Sequence, residues 1–377
     1  MKKIAIIGAG ISGMYFANLL QKSSDFDFTI FEKRSLLYMK NGYGIQLSVN
    51  SIKLLNQIGF NKIDQKEIFN PNKVIFFNAK NNQKICDIDI SRFNYEDNQY
   101  TTLKRSTLLK FLLNNIPKEK IKLNTELKNL TYDNKLKLSF SSNVTEDFDY
   151  LIISDGVFSK SKTIILNKNI KPKYFKSIAL RGNLRNYPNE DISLYLGSKF
   201  HFVIYPVNKS DEFNFIAIIR KHLTNHQLSD ENLYNDKNLL KSITQELYKK
   251  TTLELEGKLE NIKFFPLYIS EKLEISDNKN VFFIGDALFA TPPSFAQGAS
   301  QSIETAKELF DQIENNKNDF YEKIIKRLNS VSWRSKLNYF SFHLSNPIVS
   351  SFRNSILKIL VKNNKFLDSY LGNIYRD

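Results

Sequence analysis

Apolar and polar positions follow two different periods along the first 75 residues. Ile4-Ala5-Ile6-Ile7 is an unbroken apolar run, the signature of a strand buried on both faces. Apolar residues then recur at helical spacing over residues 14–22, Phe28-Thr29-Ile30-Phe31 forms a second strand, and residues 50–58 return to the helical spacing. This alternation predicts βαβ units around a parallel sheet. Residues 73–103 give short strands, predicted as a small sheet, and Arg105–Asn114 reads as a helix carrying Leu108, Leu109, Leu112 and Leu113. Residues 122–148 read as paired strands, and residues 150–154 as a buried strand that rejoins the first sheet.

The rhythm changes after residue 172. Segments 177–184, 192–196, 200–207 and 213–220 are strands joined by turn signals with no helix between them, which predicts a second lobe on an antiparallel sheet. An amphipathic helix at 236–250 and a strand at 259–269 lead back to the apolar run Val281-Phe282-Phe283-Ile284. From Ser302 onward the pattern is helical, interrupted at Pro347. The segment Ser355-Ile356-Leu357-Lys358-Ile359-Leu360-Val361 can seal a core or touch a membrane surface. Core packing is the expectation, because most such faces pack internally.

Candidate chemistry enters where two of the apolar strands end. The first runs into Gly8-Ala9-Gly10-Ile11-Ser12-Gly13, a G-x-G-x-x-G turn opening a helix, and the second strand ends in Glu32-Lys33. Glycine lets the backbone turn tightly and approach a pyrophosphate, whose charge then meets the free N–H groups of the helix start. Glu32 stands at the offset where a carboxylate accepts from an adenosine ribose hydroxyl. The late strand runs into Gly285-Asp286-Ala287, then a Pro292-Pro293 turn, then Gly298-Ala299 opening another helix. Neither segment alone distinguishes NAD from FAD; their pairing points to FAD. The predicted fold class is therefore α/β. A Rossmann-like FAD-binding domain at 1–172 and 271–330 is interlocked with a substrate-binding lobe at 173–270, and a helical segment at 331–377 follows.

Composition narrows the partners. The net charge of +15 is spread through Lys/Asn-rich segments, without a compact basic stripe interleaved with aromatics, so solvated surface lysines are expected rather than a nucleic-acid interface. Cys86 is the only cysteine, which excludes an intrachain disulfide and a dithiol redox couple and fits a reducing cytoplasm. The amino-terminal apolar residues carry the glycine motif and no cleavage-type ending, so they read as a retained strand. No apolar run approaches the roughly 18 residues needed to cross a bilayer. Monomer and homodimer both remain open.

At this point the chain resembles the single-component flavoprotein aromatic hydroxylases, the group that includes p-hydroxybenzoate and salicylate hydroxylases. The likeness covers nearly the whole length in order. It comprises the glycine turn with Glu32, Gly44-Ile45-Gln46-Leu47-Ser48, Leu103-Lys104-Arg105-Ser106, Asp155-Gly156, and the run from Gly285 through Pro293 and Ala296-Gln297-Gly298-Ala299 to Ile303-Glu304-Thr305-Ala306. The resemblance implies noncovalent FAD, transient NADH or NADPH, and O2, with oxygen delivered through a flavin C4a-hydroperoxide to a small aromatic or apolar substrate. It implies FAD contacts for Arg105, Gly44 and Asp286, a loop at Pro293 against the flavin ring, and a helix start at Gly298 and Ala299 beside its N1 edge. Asp155 is implied near the cofactor, with capping of the next helix as the alternative. Glu304 is expected to pair with a neighbour.

The resemblance also makes Arg181 and Tyr205 the catalytic candidates above the flavin, with a lobe-linking ion pair and a core phenol as their plainer readings. His201 and His343 lack partners at metal-binding spacing, so no metal is expected. The chain departs from the family pattern at Leu288-Phe289, at Ser300, at Lys162 where an arginine is usual, and before Arg181, where tryptophan is absent. Two rivals use the same scaffold: a flavin reductase acting on an isoprenoid or other apolar substrate, and a flavin-binding redox sensor without turnover. Oxygen uptake coupled to product separates them.

Overall fold

The computed structural model of the 377-residue chain describes residues 1–37, 42–230, 232–233 and 236–376. The chain opens with β1 (Lys2–Ile7), α1 (Ile11–Leu20) and β2 (Phe26–Phe31). It continues through β3 (Gly44–Leu47), α2 (Val49–Asn56), β4 (Ile68–Phe69), β5 (Lys73–Asn78), β6 (Lys84–Asp89), β7 (Thr101–Lys104), α3 (Arg105–Asn114) and β8 (Ile121–Lys122). A hairpin-linked set follows: β9 (Leu127–Asp133), β10 (Lys135–Phe140) and β11 (Thr145–Phe148). Then come β12 (Tyr150–Ile153) and α4 (Lys160–Leu166). The lobe holds β13 (Lys173–Arg185), β14 (Ile192–Gly197), β15 (Phe200–Pro206), β16 (Glu212–Arg220), α5 (Asn225–Ser229), α6 (Lys237–Tyr248) and β17 (Glu260–Ile269). The remainder includes β18 (Val281–Phe283), α7 (Gly298–Glu314), α8 (Phe320–Phe342) and α9 (Pro347–Leu360).

A five-stranded parallel sheet in the order β18-β12-β1-β2-β8 forms the first core. Ile4, Ala5 and Ile6 of its central strand have no exposed surface, as the unbroken apolar run requires. Helix α1 packs with α7 on one side, while the small β11-β10-β9 sheet covers the other, where Phe31 stacks on Phe140 with ring centroids 4.1 Å apart. Ile7, Ile153 and Phe283 lie in register across β1, β12 and β18. The turns that follow these three strands therefore emerge side by side at the carboxyl edge, where open α/β sheets bind ligands.

The second sheet has seven strands in the order β17-β13-β16-β15-β14-β5-β6, antiparallel except for the β14–β5 pair. Strands β5 and β6 lie within the segment predicted for the FAD-binding domain, yet they extend the lobe's sheet; the separate small sheet expected at 73–103 does not form. Val74 pairs with Ile192 and Phe76 with Leu194 in register, a long-range parallel pairing that no local sequence signal encodes. Side chains alternate across the lobe sheet. Phe200, Phe202, Ile204, Phe213, Phe215 and Ala217 face a core closed by Ile243 and Leu247 of α6. His201, Val203, Tyr205, Ile216 and Ile218, with Arg181, face the opposite way into a cavity.

The core expectation for the carboxyl-terminal apolar segment is corrected. Helix α9 buries no residue fully, and Ile348, Phe352 and Ile359 are strongly exposed. Only its inner edge packs: Leu357 and Val361 rest on the cluster formed by Phe76, Ile85 and Leu194. No described helix is long and apolar enough to cross a membrane.

Candidate active site

Three turns meet at the carboxyl edge of the parallel sheet. Gly8 turns with φ +105°, a backbone conformation that L side chains rarely adopt. The Ser154 hydroxyl lies 2.9 Å from the carbonyl oxygens of both Ile7 and Gly8, fastening the β12 turn to the glycine turn. On the far side, the Ile284 amide donates to the Ile153 carbonyl at 2.9 Å. Gly285 packs against Ser12: a Cβ there would sit 2.7 Å from the Ser12 hydroxyl.

The other four glycines of these motifs divide by what surrounds them. A Cβ on Gly8 would strike the Ser154 carbonyl at 2.7 Å, and one on Gly13 would strike the Gly8 carbonyl at 2.2 Å. These two are needed for packing strand against helix. A Cβ on Gly10 would meet nothing closer than 3.8 Å, and one on Gly298 nothing within 4 Å. Protein packing does not demand glycine at either position; both face open cleft.

Helices α1 and α7 begin at this cleft, with Gly10 and Gln297 as N-caps, and neither start is capped by a side chain. Their first amides, including those of Ser12, Gly13, Gly298 and Ala299, are thus available to an anion. Glu32 holds the rim of the glycine turn: its carboxylate accepts from the Ala9 amide and from the Arg34 amide, each at 3.0 Å. Those two bonds leave lone pairs for a ribose hydroxyl. Lys33 stands exposed next to it.

Charge completes the cleft. Arg105 begins α3, and its amide donates to the Tyr43 carbonyl at 3.0 Å. Burial lowers the pKa of its guanidinium, as do the neighbouring cations Arg181 and Arg34, while Asp286 acts in the opposite sense. Among the described residues, neither Arg105 nor Arg181 has a carboxylate within 4.0 Å. Asp286 is pushed up to about 6 by its depth in the protein, tempered by Arg105, although its surface is open to the cleft. Asp155 is also raised by burial; it accepts from the Ser161 amide at 3.3 Å. The cap of α4 is Ser159, which receives the Lys162 amide at 3.0 Å, so Asp155 is not the N-cap of that helix.

The residues fit FAD on several independent grounds. Asp155 Oδ1, Ser294 Oγ and Gln297 Nε2 are buried without a hydrogen-bond partner near these turns, and an unmet buried polar group costs roughly 1–3 kcal/mol. The unpaired Arg105 guanidinium beside Asp286 suits an anion of two phosphates. Pro292 and Pro293 form a loop held from behind by α8, where Asn338 donates to the Ser294 carbonyl at 3.2 Å. Pro293 and Asp286 then line the floor of the adjoining cavity.

The sheet of the lobe roofs that cavity, which has a volume of about 770 Å³. Arg181 and Tyr205 both reach it, from β13 and β15 on either side of β16, and the Arg181 guanidinium lies 5.7 Å from the Tyr43 ring centroid. Burial raises the Tyr205 phenol well above its usual range, and Arg181 and a hydrogen bond with Gln46 draw it partly back. Gly44, which lines the cavity, is also held to glycine by protein packing. A Cβ there would lie 2.5 Å from Asn214 Cβ, and the Gly44 amide donates to Asn214 Oδ1 at 2.6 Å.

The departures from the family pattern have structural places. Leu288 is fully buried, and its carbonyl accepts from the buried Lys162 ammonium at 3.2 Å. Ser300 accepts from the Ser48 amide at 3.3 Å, joining α7 to the start of α2. Glu304 pairs as expected, with the Arg327 Nε 2.7 Å away and Asn50 donating at 2.8 Å. Sequence reasoning missed the contact of His201 with His343, whose ring nitrogens lie 2.8 Å apart in a buried site. His201 is four residues before Tyr205 on one strand, so strict alternation already placed both on the cavity face. Gln46, which accepts from the Tyr100 hydroxyl at 2.8 Å, was also missed.

Comparison with known proteins agrees with this geometry. A model of the NAD(P)-binding Rossmann-like domain matches residues 6–37. The 6-hydroxynicotinate 3-monooxygenase of Bordetella bronchiseptica is 22% identical over 317 residues, covering 81% of each chain. Klebsiella pneumoniae HpxO complexed with FAD and uric acid superposes with a TM-score of 0.84 at 16% identity, over 99% of this chain and 96% of that one. A salicylate hydroxylase substrate complex does so with a TM-score of 0.72 at 18% identity, over 100% and 97% of the two chains. With its ordered motifs converging on one cleft, the chain is similar along most of its length to a curated aromatic-ring monooxygenase and shares the fold of solved FAD-dependent hydroxylases.

Proposed function

We propose that the protein hydroxylates a small, planar, largely apolar aromatic compound at the expense of NADH or NADPH and O2, in the cavity between the FAD cleft and the lobe sheet. The observation that carries this reading is the shared wall of the two spaces. Asp286, Pro293, Gly298 and Ala299 edge the cofactor cleft, and the same residues bound the cavity into which Arg181 and Tyr205 project. The ring compounds named for the relatives, 6-hydroxynicotinate, uric acid and salicylate, are of the size and shape that such a space admits.

Bound FAD would supply hydride acceptance from the nicotinamide and activation of oxygen for transfer to the ring. The chain's own residues then bind, orient and exclude water. Ile88, Ile192, Val203, Ile216 and Ile218 give the substrate an apolar wall. Tyr205 stays protonated through the physiological range, because burial raises its pKa, so its hydroxyl serves as a hydrogen-bond donor to a phenolic or carboxylate oxygen. Arg181 is a half-buried cation with no carboxylate within 4.0 Å among the described residues, and its desolvation is a cost that an anionic substituent of the substrate offsets. The uncapped start of α7, with the Gly298 and Ala299 amides, would offer positive dipole to negative charge on a bound flavin.

A panel of hydroxylated monocyclic and bicyclic aromatics tests the reading. At least one is expected to stimulate NAD(P)H oxidation more than tenfold, with oxygen uptake matched by hydroxylated product. Reduction of an apolar double bond without oxygen consumption would replace it with the reductase reading.

A further inference from the structure

Helices α8 and α9 leave an apolar face uncovered. Trp333, Leu337 and Phe340 follow one another at i, i+4 and i+7 along α8, and Ile348, Phe352, Ile356 and Ile359 form a single stripe along α9. Trp333 is 59% exposed, Phe352 68%, Ile359 70% and Ile348 80%. Soluble monomers rarely show contiguous apolar surface of this extent without a use for it. The face is also the rim of an opening: Trp333, Leu337, Phe340, Val349, Phe352 and Ile356 line the cavity that reaches Asp286.

Charge around the face selects its occupant. From Lys323 to Leu367 the sequence holds nine lysines and arginines and no aspartate or glutamate. Exposed Lys336 stands on α8, and Lys358 and Lys362 border the stripe at the end of α9. The basic, aromatic-bearing stretch not apparent from composition is therefore here, with apolar residues at its centre and lysines at its margin. An amphipathic helix with this arrangement lies in the interface of an anionic bilayer, its apolar stripe among the acyl chains and its lysines at the headgroups. A second copy of the chain fits less well, since it would set this cationic margin against its own image and close the cavity mouth.

We propose that the protein docks peripherally on anionic membranes through the α8–α9 face, with the cavity mouth against the bilayer. The docking stands independently of the hydroxylase reading. A route for apolar substrate from lipid into the cavity rests on that reading.

Trp333, the sole tryptophan, lies on the proposed face and reports on it directly. The FAD-loaded protein is mixed with phosphatidylcholine vesicles, with or without 30 mol% phosphatidylglycerol, and followed by co-sedimentation and by Trp333 quenching with brominated lipid. At least tenfold tighter binding to the anionic vesicles is expected, with quenching that disappears when the vesicles are omitted. I348S/I359S alters only two exposed side chains outside the cavity lining and is expected to lose at least tenfold in vesicle affinity while retaining FAD. K358E/K362E is expected to abolish the preference for anionic lipid. Failure of the wild-type protein to bind either vesicle, or binding unchanged in both variants, overturns the proposal. A concentration-dependent dimer that I348S/I359S dissolves overturns it as well, by assigning the face to a second copy. Because binding is read without turnover, inactivity towards every aromatic tested would sink the hydroxylase reading and leave this one standing.

Discussion

Ser12 and Gly285 touch. One follows the glycine turn near the amino terminus, the other ends a strand three-quarters of the way along, and a Cβ on Gly285 would lie 2.7 Å from the Ser12 hydroxyl. The contact follows from strand order: β12 lies between β1 and β18, in register with both, so the turns after all three converge. It makes one cleft from two distant motifs and allows a single dinucleotide to be held by both.

Packing glycines are expected to report on stability. Gly13→Ala places a methyl 2.2 Å from the Gly8 carbonyl and 2.5 Å from Ser154 Oγ. Overpacking of this kind costs roughly 1–3 kcal/mol, and the urea midpoint should fall accordingly. An unchanged midpoint would show that the glycine turn and α1 are looser than described.

Asp286 should weaken the FAD-free protein while serving the cofactor. Its folded-state pKa is raised to about 6 from the usual 3.8, so between those values the folded state keeps a proton that the unfolded state has released. Stability of the apoprotein therefore falls as pH rises through this window. Asp286→Asn is expected to remove that slope, leave the apoprotein more stable than wild type at pH 7, and diminish FAD retention. Denaturation at pH 4.5 and 7.0 checks the first part, and the flavin absorbance of purified protein the second.

The buried histidines give the opposite sign. His201 is pushed down to about 3 by burial, and His343 to about 2 by burial and by the neighbouring His201 and Arg220. Both are neutral when folded, so their contribution is complete above the unfolded value near 6.5 and is lost as pH falls from there towards 3. Each adds a slope of about 1.4 kcal/mol per pH unit in that window. The double variant H201Q/H343Q should show a shallower acid limb in denaturation experiments; an identical limb would assign acid sensitivity to other groups.

Arg181→Ala and Tyr205→Phe are expected to retain FAD, since neither contributes to the glycine or aspartate turns. Loss of a donor aimed at the reacting ring should lower hydroxylation about 100-fold. Stopped-flow flavin reduction and product yield separate the two steps, and wild-type turnover in both variants would remove these residues from the mechanism.

Much of this was legible because it is local. The buried stretch of residues 4–7 in β1 was visible as an apolar run and the glycine turn as a spacing, while Tyr205 was placed above the flavin by the family resemblance. Long-range pairings were not. Val74 joining Ile192 carried β5 and β6 into the lobe sheet, and His201 met His343 across 142 residues; neither is encoded in any window of sequence. The apolar period of α9 was read correctly as a helix and wrongly as core, since periodicity gives a helix an apolar face without saying what covers it. Gly44 was assigned to the cofactor on its motif, while the crowding that requires glycine comes from Asn214, on a strand 170 residues away.

Gly10 offers the most direct test that the two motifs hold one FAD. Its φ of −86° suits any residue, and a Cβ there meets no protein atom closer than 3.8 Å, so Gly10→Val should fold with a loss of about 1 kcal/mol at the helix cap. Titration of the refolded apoprotein with FAD, read by quenching of flavin fluorescence, is predicted to show normal binding for wild type and none for Gly10→Val. A folded Gly10→Val protein that binds FAD as tightly as wild type would contradict the account.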